Sequence, residues 1–206
     1  MMKVLAINGS PHAEGSTYHA LRLMADELEK EGIDVEIIHI GNQIIRGCIA
    51  CNYCMKQEVP HCVFKDDAVN PFIEKVKAAD GIILGSPVHW AGIGGTLKSF
   101  LDRVFYAGSR NLQNKVGAAV IAVRRSGGVA ALDQLYHYLA YTNMALATSS
   151  YWNVIHGNKE DDVLKDAEGV QTAKMTARNM AWLLKSLQNT TPPALDEKKV
   201  WTNFIR

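Results

Sequence analysis

The sequence predicts an α/β protein: a doubly wound parallel sheet of five strands in the order 2-1-3-4-5, with helices on both faces. Three observations carry this. Apolar runs without polar alternation recur, as in Val4-Leu5-Ala6-Ile7 and Gly81-Ile82-Ile83-Leu84-Gly85, which is the pattern of strands buried on both faces. Segments with helical apolar spacing separate them. The first strand stops abruptly in a Gly-, Ser- and Pro-bearing loop, Gly9 to Thr17, before a helix begins.

Taken in order, Val4 to Ile7 is the first strand. After the loop, Leu21, Met24, Ala25 and Leu28 form an apolar stripe, with Glu27, Glu29 and Glu31 largely off it. Asp34 to Ile40 is a second strand, whose stronger alternation suits a sheet edge. Gly41 to about Asp67 has no sustained period and is too long for an ordinary connection. Ala68 to Ala79 reads as a helix with Pro71 in its first turn, and Asp66-Asp67 as its cap. Gly81 to Gly85 is the third strand. A helix with Leu97, Phe100, Leu101, Val104 and Phe105 on one face follows. Asp102-Arg103 on that helix reads as an intrahelical or surface pair. Lys115 to Val123 is the fourth strand, broken by Arg124 to Gly128. The next helix turns Val129, Leu132, Leu135, Tyr136 and Leu139 inward. A weaker fifth strand falls within Leu146 to Val154, Gly157 to Asp166 is loop, and Thr172 to Gln188 is the last helix. One domain, 1–188, thus carries a Cys-rich insertion at 41–67 and a tail at 189–206. The apolar end of the tail, Val200, Trp201, Phe204 and Ile205, reads as a segment docked on this fold or on another subunit, with a poorly ordered terminus as the alternative.

The 206 residues, 48% hydrophobic and 21% charged, suit one domain with a sizeable core. A formal net charge of +1 argues against a general nucleic-acid surface. No stretch has the length of a membrane span, and since the chain runs straight into a strand no leader is expected. The expectation is a cytoplasmic protein with neither nucleic acid nor membrane as partner.

In a 2-1-3-4-5 sheet, ligands bind outside the carboxyl ends of the strands, where the order reverses between strands one and three. Two unusual loops meet there. The first offers free amides at a helix N-terminus and the hydroxyls of Ser10, Ser16 and Thr17, with His12 as a neighbour. It is neither G-x-x-x-x-G-K-[ST] nor G-x-G-x-x-G. Hydroxyls and amides without a lysine suit a single phosphate monoester such as that of FMN. The plainer alternative is a helix capped by Ser and Thr. The second loop sets Pro87, Val88, His89 and Trp90 beside Gly92, Gly94 and Gly95, giving flat apolar walls and close backbone approach for a flavin ring. Arg124 to Gly128 reads equally as a contact for the far side of the ring or a nicotinamide donor's phosphates and as a plain polar loop with Gly turns. No Ser-His-Asp set, nucleophile elbow or acid–base carboxylate pair is present, so any chemistry belongs to a cofactor.

The loop Gly9-Ser10-Pro11 with Gly15-Ser16-Thr17, the stretch Gly85 to Trp90, and Leu97 to Arg103 resemble the flavodoxin-like NAD(P)H-dependent FMN reductases. The resemblance runs in order from about Lys3 to Gln188. Within that group, the cysteine segment resembles the iron–sulfur flavoproteins. The resemblance implies a flavodoxin-like fold, FMN, and a homodimer or homotetramer. It implies Ser10, His12, Ser16 and Thr17 at the FMN phosphate, and Pro87, Val88, His89 and Trp90 with Gly92 at the ring. Ser126, Gly127 and Gly128 would close the other side. It further implies hydride transfer from NAD(P)H to the flavin, then electron transfer to a quinone, another small molecule or a protein. The alternative is an electron carrier, either an iron–sulfur flavoprotein or a flavodoxin-type protein, without its own nicotinamide substrate.

All four cysteines fall in Cys48-x2-Cys51-x2-Cys54-x7-Cys62. The spacing fits the compact motif of the iron–sulfur flavoproteins and begins like a ferredoxin run, making these residues candidate [4Fe–4S] ligands. A zinc site, a regulatory disulfide or simple packing of free thiols are the other readings.

Overall fold

Alternate residues of each buried strand feed opposite faces of one parallel sheet. The computed structural model describes residues 1–56, 60–194, 200 and 202. In chain order these form β1 (Lys3–Asn8), α1 (Ser16–Lys30), β2 (Asp34–His39), α2 (Tyr53–Lys56), α3 (Val69–Lys77), β3 (Gly81–Pro87) and α4 (Gly95–Ala107). Then come α5 (Ser109–Leu112), β4 (Val116–Val123), α6 (Gly128–Tyr141), β5 (Ala145–Leu146), β6 (Val154–His156), a 3-10 turn (Asp162–Lys165) and α7 (Ala167–Leu187). The sheet order is β2-β1-β3-β4-β5, with β6 also paired to β4. Its pairings are all parallel.

Val4, Ala6, Ile83, Ala118 and Val120 face α1 and α7, packing on Leu21, Met24, Ala177 and Met180. Leu5, Ile7, Ile82, Leu84, Ala119 and Ile121 face α3, α4 and α6, packing on Phe72, Phe100 and Leu132. This period-two division is what an uninterrupted apolar run means in a strand covered on both sides. β2, at one edge, is only half-buried. Glu27 of α1 lies nearly buried between Lys30 (2.6 Å) and Arg178 of α7 (2.8 Å), clamping the two helices together.

The expected fifth strand is split. Ala145 and Leu146 pair with Val116 and Gly117, and Val154 resumes opposite Ile121. The residues between, 147–153, face only 118–120, so the chain bulges away. Asn153 repairs the gap: its side-chain amide donates to the Ala119 carbonyl at 2.6 Å, while its own carbonyl accepts from Ile121 N–H.

Other expectations are corrected. α7 starts at Ala167 rather than Thr172, because Asp166 caps it by accepting the Gly169 amide at 3.0 Å. The segment read as loop contains the 3-10 turn. Val129, expected inward, is 43% exposed in the first turn of α6. Of the tail's apolar residues, Trp201, Phe204 and Ile205 lie outside the described residues, and Val200 is exposed. Among the described residues no helix is long and apolar enough to cross a membrane.

Candidate flavin site

β1 ends at Asn8, whose buried carboxamide shapes the loop that follows. Its oxygen accepts the Ser10 N–H at 3.1 Å and its nitrogen donates to the Ala13 carbonyl at 2.8 Å. The Ser10 hydroxyl oxygen in turn accepts the His12 N–H at 3.1 Å. The His39 ring, at the end of β2, lies 2.8 Å from the Ser10 carbonyl. Two glycines are required by close approach. A Cβ on Gly9 would sit 2.6 Å from Leu97 Cδ2, and one on Gly41 would sit 2.0 Å from the Ser10 carbonyl oxygen.

Gly15 is the N-cap of α1, and no side chain caps the helix, so the plain capping alternative for Ser16 and Thr17 does not hold. The Ser16 hydroxyl donates instead to the Lys159 carbonyl at 2.7 Å. Thr17 is buried at the helix start and His12 is exposed. Among the described residues the amides of Ser16, Thr17 and Tyr18 meet no acceptor. Unpaired amides at the positive end of a helix of 15 residues are chemically suited to receive an anion.

The loop after β3 comes to the same place. Gly9 N–H donates to the Gly85 carbonyl at 2.9 Å, and a Cβ on Gly94 would lie 3.2 Å from the Gly9 carbonyl. Beyond Pro87 and Val88 the chain makes a tight antiparallel turn. His89 N–H donates to the Gly92 carbonyl (2.8 Å) and Gly92 N–H returns to that of His89 (2.9 Å). Its tip residues, Trp90 and Ala91, have φ of 51° and 58°. Positive φ at both central residues is the signature of a type I′ turn, usually built from Asn and Gly. An L-residue held there costs roughly 1–2 kcal/mol. The Trp90 side chain is fully exposed.

Ser86 and Gln134 hold this strained turn. The Ser86 hydroxyl donates to the Pro87 carbonyl at 2.8 Å and accepts the Gly94 N–H at 3.1 Å. Gln134 Oε1, from α6, accepts the Ile93 N–H at 3.2 Å. The loop after β4 presses on the other side. Gly127, at φ 86°, would set a Cβ 3.0 Å from Ala91 Cα, and Gly128 would set one 2.5 Å from Val154 Cγ1. Ser126 is exposed beside them, on a hollow of about 340 Å³ that reaches Trp152 and His156. The loops after β1, β3 and β4 thus form one contiguous surface at the carboxyl edge. Asn8, Gln134 and Lys159, which sequence reasoning passed over, are built into it. A hollow of about 610 Å³ between α4 and α6, lined by Tyr106, Tyr138 and Tyr141, lies apart from these loops. There the Tyr138 hydroxyl, pushed up to about 12 by burial and by its bond to Asp102, stays protonated.

The cysteine loop packs along α4. Cys48, Cys51, Cys54 and Cys62 line one small hollow together with Phe64, Arg103 and Tyr106. Ala50 and Asn52, the residues flanking Cys51, have φ of 51° and 56°. These left-handed positions bend the chain on both sides of Cys51. Asn70 of α3 pins Cys62 by accepting its N–H (2.7 Å) and donating to its carbonyl (3.0 Å). Burial pushes the Cys54 thiol above its ordinary value. Among the described residues no group of three His, Cys, Asp or Glu side chains is placed to hold a single metal ion.

Arg103 corrects two expectations. It does not pair with Asp102, which bonds Lys98 and Tyr138. It is buried, at 1% exposure, and paired with Asp67. Asp67 does accept the Val69 N–H at 3.1 Å, as a residue ahead of α3 should, but its larger role is that buried ion pair.

The family model for NADPH-dependent FMN reductase matches residues 2–159. An iron–sulfur flavoprotein of Methanocaldococcus jannaschii is 34% identical over 200 residues, spanning 91% of this chain and 100% of that one. An NADPH-dependent FMN reductase of Escherichia coli is 29% identical over 161 residues, 78% of this chain and 74% of that one. Among solved structures, that of RosB with a bound 8-demethyl-8-formylriboflavin-5'-phosphate intermediate superposes with a TM-score of 0.74 at 14% identity. It covers 100% of this chain and 93% of that one, a likeness of fold.

Proposed function

This chain belongs to the NADPH-dependent FMN reductase family and is an FMN-dependent oxidoreductase, and from that premise we propose that NAD(P)H is its electron donor and a small molecule or protein its acceptor. The observation that carries the reading is the unpaired amide set of Ser16, Thr17 and Tyr18 at the end of a loop that Gly9 N–H ties to the Gly85 carbonyl of β3. The residues fit FMN: amides and hydroxyls for a dianionic phosphate, and a close-approach backbone with a Pro-Val wall for a flat ring. Bound FMN supplies the hydride and single-electron chemistry.

In this reading Ser10, His12, Ser16 and Thr17 hold the phosphate. Pro87, Val88, His89, Trp90 and Gly92 flank the ring, and Ser126, Gly127 and Gly128 close the opposite side. Gln134 and Ser86 keep the ring-side turn rigid before any ligand arrives, which lowers the ordering cost of binding. No side chain of the chain is required as proton donor.

The cysteines fit a [4Fe–4S] cluster better than one zinc ion. A zinc ion needs its thiolates within about 2.3 Å of one point. A cubane spreads its ligands around a larger body, and the four cysteines that line one small hollow supply such a donor set. When bound, the cluster passes one electron at a time. The exposure of Cys48 and Cys51 favours a second reading, a carrier that exchanges electrons with a protein partner and has no nicotinamide substrate. A homodimer or homotetramer is the proposed assembly, checked by light scattering.

Anaerobic stopped-flow mixing with NADH and NADPH separates the readings. Bleaching of the flavin band by either supports the reductase. Bleaching only by a reduced iron–sulfur protein supports the carrier and removes the nicotinamide. Iron and sulfide analysis of anaerobically purified protein tests the cluster: about four of each per chain, lost in Cys54→Ser, supports it, whereas one zinc or neither metal overturns it.

A further inference from the structure

α4 presents Ser99, Arg103 and Tyr106, at i, i+4 and i+7, to the cysteine loop. Ser99 Oγ lies near Gly47, where an added Cβ would be 3.9 Å away. The Tyr106 hydroxyl donates to Asn52 Oδ1 at 2.9 Å. Between them, the Arg103 guanidinium is almost fully used. Nε donates to Cys62 Sγ at 3.2 Å, one terminal nitrogen donates to the Arg46 carbonyl at 3.2 Å and to Asp67, and the other donates to Asp67 at 3.2 Å. The Phe64 ring covers it, 5.1 Å from centroid to guanidinium carbon.

Every part of this arrangement except one is explained by folding. Asp67 neutralises the buried charge, and the Arg46 carbonyl and Phe64 fix the loop. The bond to Cys62 is different in kind, since sulfur is a poor acceptor as a thiol and a good one as a metal-bound thiolate. The first helical turn of α4 meanwhile lies beneath the flavin loop, through Leu97 against Gly9. One rigid helix therefore packs against both loops proposed to hold redox groups, with Gly95 and Arg103 about 12 Å apart along its axis.

We propose that Arg103 is a positioning residue that raises the reduction potential of the iron–sulfur cluster by donating its Nε–H to the Cys62 thiolate. This rests on the cluster reading above. The added electron of a reduced cluster lies partly on its thiolate ligands, so an N–H aimed at one of them stabilises the reduced form over the oxidised. Because Asp67 cancels the guanidinium charge, the N–H bond is what remains.

The test is an anaerobic redox titration of the as-purified holoprotein, followed by electron paramagnetic resonance, after iron and sulfide have been counted. The main variant is Arg103→Met with Asp67→Leu, which removes the pair and keeps the local charge balance; apolar replacement of a buried pair is often tolerated. The expected result is a cluster still present with a lower midpoint potential. A tenfold change in the oxidised-to-reduced ratio at fixed potential, 59 mV for a one-electron couple, is the effect sought. Should that variant not fold, Arg103→Lys carries the test, since an ammonium held by Asp67 leaves Cys62 without its donor, and the same fall is expected. A loaded variant with an unchanged or raised potential overturns the role of Arg103 and leaves the cluster reading intact. Wild-type protein without iron overturns both.

Discussion

The Ser16 hydroxyl donates to the Lys159 carbonyl at 2.7 Å, joining the first turn of α1 to the segment after β6. The bond holds the mouth of the first loop against a strand end far away in sequence. A hydroxyl has one hydrogen, so to donate to a bound phosphate Ser16 turns it away from the Lys159 carbonyl.

Replacing Ser16 and Thr17 together by Ala removes two hydroxyls from that mouth. Hydrogen bonds to a charged phosphate are worth on the order of 1.5–3 kcal/mol each, so FMN affinity falls at least about tenfold. Fluorescence titration of the apoprotein measures it. Unchanged affinity, or FAD rather than FMN in the heat-denatured supernatant, contradicts the assignment.

Asp67→Ala leaves the Arg103 guanidinium buried without its counter-charge. Stability falls by about 3–5 kcal/mol, read as a lower midpoint in urea. A surface ion pair removed by Lys165→Ala moves the same midpoint by less than about 1 kcal/mol. Equal effects of the two substitutions would contradict the burial argument.

Ala91→Gly relieves a left-handed L-residue at the tip of the turn proposed to flank the flavin ring. The relief of about 1–2 kcal/mol is offset by about 0.4–1 kcal/mol of added unfolded-state entropy. Net stabilisation of roughly 0.5–1 kcal/mol, seen as a higher melting temperature, is expected. A destabilised variant would show that φ at Ala91 carries no strain.

Glu27 gives the acid limb of stability. The Lys30 ammonium, and secondarily Arg178, hold its carboxyl below the usual carboxylate value against the opposing effect of burial. A carboxyl lower in the folded than in the unfolded chain stabilises fully above its ordinary value, about 4.3. That contribution is lost as pH falls through the lower folded value. Glu27→Gln therefore weakens the protein by about 1 kcal/mol at neutral pH, a figure kept small by the exposure of both partner cations. The difference from wild type vanishes toward low pH. Urea midpoints across an acid series follow it, and a difference constant with pH would refute the clamp.

The strands and the meeting of loops were legible because they rest on local pattern. Val4 to Ile7 announces a strand covered on both sides, and Gly9 to Thr17 announces a break at its end. What stayed hidden depends on residues far apart. Asp67 and Arg103 read as a cap and a surface charge because nothing in their neighbours marks burial. Gln134 sits in mid-helix among ordinary residues, and its role exists only once Ile93 is beside it. Asn8 looks like the last residue of a strand, though its carboxamide shapes the whole loop. The start of α7 was missed because Glu168 and Gly169 lack an apolar stripe, and only Asp166 betrays the cap.

The break between β5 and β6 has a consequence for the company the protein keeps. Both pieces lie at the outer edge of the sheet, beyond β4. An unbroken edge strand offers a row of open amides and carbonyls on which another chain can add itself. Here the edge is cut into lengths of 2 and 3 residues, and the bulge at 147–153 stands between them. A second molecule arriving at this edge finds no continuous ladder to extend, so edge-on addition is left to the opposite edge, where β2 runs unbroken over 6 residues.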